Sequence, residues 1–257
     1  MDPVPTCRLP EFGPPARLHV LDFGVMRRHS RPGDFGTPGF LLTTGDGRHI
    51  LIDTGFPPGY GSDAAACSRL DGLEHDAQIV RMGSENLLEG QLALLGLTPS
   101  DISLTILTHS HLGQVGGLAR LTHAPVLMTR AERANPRPLY HRDARPLAWP
   151  DADYRLIDDD TEICGGGLIA IPTPGHTLGH LSVLLILPET GPVILTGDAI
   201  GRFEDVMNGF EDAADEGLAR ASANRLLALA AESQGMVIYG HSPGQWQHLD
   251  KAPRFYG

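Results

Sequence analysis

A chain of 257 residues with 20 Lys plus Arg against 31 Asp plus Glu has a formal charge of −11, which argues against a protein built to grip a phosphate backbone. Only one of those cations, Lys251, is a lysine, so P-loop and Schiff-base chemistry are all but excluded, since both need a well-placed lysine. With 41% apolar residues, 31 Gly and 21 Pro, the composition describes a loop-rich globular domain spanning 1–257 rather than a disordered chain.

Cys7, Cys67 and Cys164 lie far apart and are odd in number, so free thiols are expected rather than a disulfide framework. The opening Met1-Asp2-Pro3-Val4-Pro5 has no basic then apolar leader. The longest apolar runs, such as Leu181–Leu187, are too short to cross a bilayer. A cytoplasmic protein without a membrane partner is the expectation.

Taken in chain order, Arg17–Phe23, Gly39–Thr44 and His49–Asp53 read as strands of one meander, with a Gly45-Asp46-Gly47 turn joining the last two. Phe56 to Met82 reads as a long excursion with little regular structure. Asn86–Leu95 places leucines on one helical face and stops at Gly96. Ile102–Leu107, Val126–Met128, Leu168–Ile171, Leu181–Leu187 and Val193–Thr196 read as strands. Glu216–Ala231 reads as a helix with an Ala/Leu face, and Met236–Tyr239 as the last strand. Strands and helices in both halves suggest an α/β protein with two sheets face to face and helices outside.

The informative residues stand where these strands end. His109, His111, His176, Asp198 and His241 each follow an apolar run, and loops at strand ends are where side chains converge. Imidazoles at i and i+2 of extended backbone project to one side, so His109 and His111 can share a metal. A third imidazole from a distant loop completes a three-histidine face, an arrangement zinc uses with one position left for water. Asp198 would ligate or hold that water. His180, four residues after His176, reads as a buried hydrogen-bonding residue that supports the loop. His29, His49, His75, His123, His141 and His248 read as ordinary core or surface residues. Gly240-His-Ser-Pro-Gly244 matches a nucleophile elbow. However, Pro243 has no N–H for an oxyanion, and no Asp-then-His pair follows, so that reading fails.

Leu107-Thr-His-Ser-His-Leu-Gly-Gln-Val-Gly-Gly117 resembles the metal motif of the metallo-β-lactamase superfamily. Ile52-Asp-Thr-Gly55, Thr173–His180, Leu195-Thr-Gly-Asp198 and Gly240-His241 are similar to its other signatures, in order and spacing. The closing stretch, Gly240–Trp246 through Ala252–Tyr256, is most similar to the N-acyl-homoserine-lactone lactonase branch. The resemblance implies an αβ/βα sandwich with a metal site at one edge between the sheets. It also implies that His109, His111 and His176 hold the first metal, Asp198 bridges two, His241 belongs to the second and Asp53 orients the histidine loop.

The departure from the pattern is as informative. Where the family reads H-x-H-x-D-H, Gly113 and Gln114 replace the aspartate and the second-site histidine. Gly201 stands where a substrate-contacting tyrosine would. The leading expectation is therefore a mononuclear hydrolase of a small lactone or ester, with zinc first and manganese, iron or cobalt open. A non-catalytic binding protein, or hydrolysis of a thioester or phosphodiester, remains an alternative, and a homodimer is left open. With this charge and no basic run interleaved with aromatics, DNA and RNA are expected not to bind at physiological salt. A gel shift showing salt-sensitive, sub-micromolar binding would contradict this.

Overall fold

A computed structural model describes residues 9–140 and 148–257; Met1–Pro5, Cys7 and His141 fall outside the described residues. Seven strands form the first sheet: β1 (Pro15–Arg28), β2 (Asp34–Thr44), β3 (His49–Ile52), β4 (Ala77–Arg81), β5 (Ile102–Ile106), β6 (Val126–Thr129) and β7 (Tyr154–Ile157). Five form the second: β8 (Thr161–Ile163), β9 (Leu168–Pro172), β10 (Leu181–Leu187), β11 (Gly191–Leu195) and β12 (Met236–Ile238). The spatial orders are β4-β1-β2-β3-β5-β6-β7 and β12-β11-β10-β9-β8.

Alternation along each strand divides the apolar residues between two faces. Phe40 and Leu42 of β2 point between the sheets, where they share one core with Val183 and Leu185 of β10. Leu41 belongs to the outer face. There, α1 (Tyr60–Asp71) and α2 (Leu88–Ala93) cover the first sheet with Tyr60, Leu88 and Leu92. Three short helices, α3 (Leu112–Val115), α4 (Arg130–Arg133) and α5 (Phe203–Asn208), lie in strand-to-strand connections. The long α6 (Glu216–Ser233) covers the second sheet through Ala219, Ala223 and Leu226, and α7 (Pro243–His248) sends Trp246 into the central core. The result is the four-layer αβ/βα sandwich expected from the sequence.

Most expected strands are present within a residue or two. The segment 56–82 is the main correction, since it holds α1 and the edge strand β4. Its Ala64-Ala65-Ala66 run favours helix, and Gly72 ends that helix in the left-handed region at φ 70°. The Asn86–Leu95 helix is shorter, a 3-10 turn at Ser84–Asn86 followed by α2. Strands β7 and β8 escaped notice because they are three or four residues long and only half buried. Cys164 carries a free, buried thiol, as expected.

Strands β3, β5 and β6 run parallel, and β9, β11 and β12 share one direction because β10 reverses against both β9 and β11. The loops that follow these strands therefore open at common ends of the two sheets. Helix α7 closes this edge. Lys251 Nζ donates to the carbonyls of Trp246 and Leu249 at the end of that helix, and it lies 4.5 Å from the Trp246 ring centroid. That ring leaves room only for glycine at position 36, where a Cβ would stand 2.0 Å from Trp246 Cε2. Gly36→Ala is expected to cost about 1–3 kcal/mol through overpacking. Denaturant unfolding reads this directly, and an unchanged midpoint would contradict it.

Candidate metal centre

His109 and His111 flank Ser110 in extended backbone beyond β5, so the two imidazoles project together and the serine points the other way. Their ring centroids are 4.7 Å apart, and His176, from the loop after β9, lies 4.8 and 4.9 Å from them. One ring nitrogen from each falls within 4.8 Å of the others. His176 Nε2 and His111 Nδ1 approach to 3.0 Å, a spacing at which both point at one shared centre.

Hydrogen bonds fix which nitrogens face inward. Thr108 N–H donates to Asp53 Oδ1 at 2.9 Å, and Thr108 Oγ1 lies 2.8 Å from Asp53 Oδ2 and 3.1 Å from His109 Nδ1. The order His109 Nδ1–H to Thr108 hydroxyl to Asp53 satisfies all three and leaves the His109 Nε2 lone pair facing the centre. That nitrogen is buried and, among the described residues, has no hydrogen-bond partner. Burial holds His109 well below the usual imidazole pKa, and it lowers His176 as well. A buried, unprotonated, unpartnered nitrogen beside two converging imidazoles fits a cation that takes nitrogen donors.

Asp198, in the turn after β11, sends Oδ2 to 3.8 Å from His109 Nε2, 3.4 Å from His176 Nε2 and 3.2 Å from His241 Nε2. Burial alone would raise its pKa, but His241 and His176 prevail and hold the carboxyl well below the ordinary range. His241 follows β12. It is tied at Nδ1 to the Gly36 carbonyl at 3.0 Å, and against its own burial Asp198 raises its pKa. All five residues singled out from the sequence thus meet at one place.

His180 stands behind them as expected, with Nε2 accepting the Asp198 backbone N–H at 3.1 Å. Its Nδ1 is then the protonated nitrogen. It begins a buried chain that runs through the Thr173 hydroxyl (2.9 Å) and the Ser182 hydroxyl (2.8 Å) to the Thr196 carbonyl (2.8 Å).

Two features were not found in the sequence. Glu132, wholly buried at the start of α4, accepts from Ser110 N–H at 2.8 Å, Ser110 Oγ at 2.6 Å and Thr177 Oγ1 at 2.7 Å. Its sequence signal was Thr129-Arg-Ala-Glu132, a helix-start pattern in which Thr129 Oγ1 indeed accepts the Glu132 N–H. The rim carries Arg28 paired with Asp212 and Arg31 paired with Asp205.

At Gly113 an added Cβ would stand 3.1 Å from Thr37 Cγ2 and 3.3 Å from Phe56 Cζ, so this position is both ligandless and crowded. The Ser242 hydroxyl caps α7, which agrees with rejecting it as a nucleophile. A cavity of about 390 Å³ opens beside the histidines, with Met26, Phe35, Phe56, Leu73 and Leu112 on its apolar wall.

A two-sheet sandwich with imidazoles and a carboxylate gathered at the strand ends is the architecture of a metal-dependent hydrolase. The chain belongs to the metallo-beta-lactamase superfamily, whose profile matches residues 32–241. It is 30% identical over 248 residues to an N-acyl homoserine lactonase of a Bacillus species, covering 94% of this chain and 96% of the relative. A solved N-acyl homoserine lactone hydrolase, with the product N-hexanoyl-L-homoserine at its catalytic metal centre, is 26% identical. It superposes with a TM-score of 0.82 over 95% of this chain and 100% of its own. AidC, a dizinc quorum-quenching lactonase, shares the fold at a TM-score of 0.60 and 20% identity, over 86% of this chain and 78% of its own.

The buried His180 makes stability depend on pH. Burial lowers its folded pKa from 6.5 to about 3, so the unfolded chain takes up the proton first as pH falls. Stability should therefore drop from about pH 6.5 towards pH 3, with His109 and His176 adding the same sign. In chelator-treated protein, His180→Gln is expected to be less stable than native at neutral pH but to show a flatter decline through that window. Parallel pH profiles for the two proteins would refute the assignment.

Proposed function

We propose that this protein is a mononuclear metal-dependent hydrolase of small lactones or esters, acting as one cytoplasmic domain. The observation that carries it is the buried, unpartnered His109 Nε2 facing His111 and His176 beside a cavity of about 390 Å³. These three histidines would hold the ion, zinc in the first instance, with manganese, iron or cobalt as alternatives. When bound, such a cation lowers the pKa of water to about 7 and polarises a carbonyl.

The chain's own residues supply the remainder. Asp198, held ionised at the centre of the histidines, orients the attacking water and accepts its proton at Oδ2. His241, fixed by the Gly36 carbonyl, keeps that carboxylate in place from the other side. The apolar wall excludes solvent and suits a substrate with an alkyl or acyl portion. Relatives named as lactonases support the choice of lactone.

One ion rather than two is proposed because Gly113 offers no ligand atom and Gln114 only a neutral amide. Asp198 and His241 alone are too few for a second tight site. A binding protein without turnover is the competing reading, since it would arise from the same losses; lactone turnover by metal-loaded protein separates the two. Elemental analysis is expected to give about one equivalent per chain, and two tightly held equivalents would overturn the mononuclear reading.

Restoring the pair by Gly113→Asp with Gln114→His should add a second equivalent. The crowding at Gly113 calls for Thr37→Ser as well, which removes the Cγ2 that an aspartate Cβ would press against. With a carboxylate returned near the leaving group, lactone turnover is expected to rise, general acid catalysis being worth about 10²–10⁴-fold. A triple variant that holds two ions yet turns over no faster would count against lactones as substrates.

A further inference from the structure

Gln114 stands where the family motif has its second-site histidine, and Thr37 lines the same cavity beside it. Gln114 is 6% exposed and lies on α3, anchored by its backbone, whose carbonyl accepts Thr54 N–H at 2.7 Å and the Thr54 hydroxyl at 2.8 Å. Its side chain lines the large cavity together with His111, His176, Asp198 and His241. Among the described residues no hydrogen bond reaches its amide, which is left accessible from the cavity. Thr37, 1% exposed, lines the same cavity next to Gly113, and its Oγ1 is buried without a hydrogen-bond partner among the described residues. Leaving such a hydroxyl unmatched in a folded interior costs about 1–3 kcal/mol. A partnerless buried hydroxyl and an amide that no described protein group engages, both on residues lining one cavity next to an imidazole–carboxylate cluster, mark a place where a ligand supplies hydrogen-bond partners.

We propose that Gln114 and Thr37 form a neutral hydrogen-bonding subsite that binds the scissile carbonyl oxygen of the lactone or ester, the amide Nε2–H as principal donor and the Thr37 hydroxyl as the second. This rests on the hydrolase reading above and gives its substrate a chemical requirement: a scissile carbonyl oxygen able to accept two hydrogen bonds. The geometry favours donation to an oxygen over metal ligation. The Gln114 backbone is pinned to Thr54, so only the side chain is left to serve the cavity. Negative charge grows on a carbonyl oxygen as water attacks, so neutral donors already in place stabilise the transition state more than the ground state.

The test uses the full-length, metal-loaded protein with N-hexanoyl-homoserine lactone as substrate and N-hexanoyl-L-homoserine as the binding probe. Gln114→Met keeps the length of the side chain and removes every donor, Gln114→Asn keeps an amide, and Thr37→Val removes the hydroxyl at constant shape. Gln114→Met is expected to retain the metal content of the native protein, to lose about 10²–10³-fold in kcat with a smaller change in KM, and to bind the probe about tenfold more weakly. Thr37→Val should lose less, and Gln114→Asn should recover part of the loss, which a purely structural role would not produce. Native-like kcat and KM in Gln114→Met overturn the proposal, as does loss of its metal, which would make Gln114 a ligand. If the native protein binds the probe in a Gln114-dependent way without turning over lactone, the subsite stands and the hydrolase reading falls. Native protein that neither binds nor turns over overturns both.

Discussion

The Glu132 carboxylate receives hydrogen bonds from Ser110 N–H, the Ser110 hydroxyl and the Thr177 hydroxyl, and thereby ties the loop carrying His109 and His111 to the loop carrying His176. A wholly buried carboxylate is costly unless its oxygens are matched, and here both are used. The helix that presents it is itself clamped to the second loop. Thr129 Oγ1 donates to the Gly179 carbonyl at 2.5 Å, and a Cβ at Gly179 would stand 2.1 Å from the Glu132 nitrogen. The three imidazoles come from loops of two sheets, and this carboxylate reinforces a backbone bond between those loops' flanks, Leu181 N–H to the Thr108 carbonyl at 2.9 Å.

The same logic recurs one step further out. Several groups that face the centre are held by the atom pointing away from it. His109 is held through Thr108 and Asp53, His241 through the Gly36 carbonyl, and Asp198 through its backbone N–H on His180. Each anchor leads to a buried backbone or hydroxyl group instead of to solvent. The inward atoms therefore stay oriented without spending their own hydrogen-bonding capacity. Asp53 shows the cost of this arrangement. It sits at φ 62°, unusual for a residue with a Cβ, and burial pushes its carboxyl up to about 8.

Much of this was legible in the residues themselves. Strands such as Leu181–Leu187 and Ile102–Ile106 are apolar and bounded by turn formers, and the histidines and Asp198 follow them at recognisable spacings. Tyr154–Ile157 and Thr161–Ile163 were not legible because edge strands this short carry no period to count. Glu132 escaped because its pattern looks like a helix cap, and nothing local reveals that its side chain crosses to Ser110. The substitution at Gln114 was visible as a missing ligand. That its amide lines the cavity without a partner among the described residues emerged only from the three-dimensional arrangement, since the surroundings of a polar group are a property of tertiary structure.

The single lysine has a practical meaning for anyone who labels or immobilises this protein. Lys251 Nζ is spoken for by two carbonyls and rests against Trp246, and burial lowers its pKa. Amine-directed reagents thus find one ε-amine per chain, in a structural position rather than on an open surface. Acylating it would erase the cation that finishes α7 and loosen the indole that fills the space over Gly36. That glycine's carbonyl holds His241, so a tag meant for the outside of the molecule would be felt at its reactive centre.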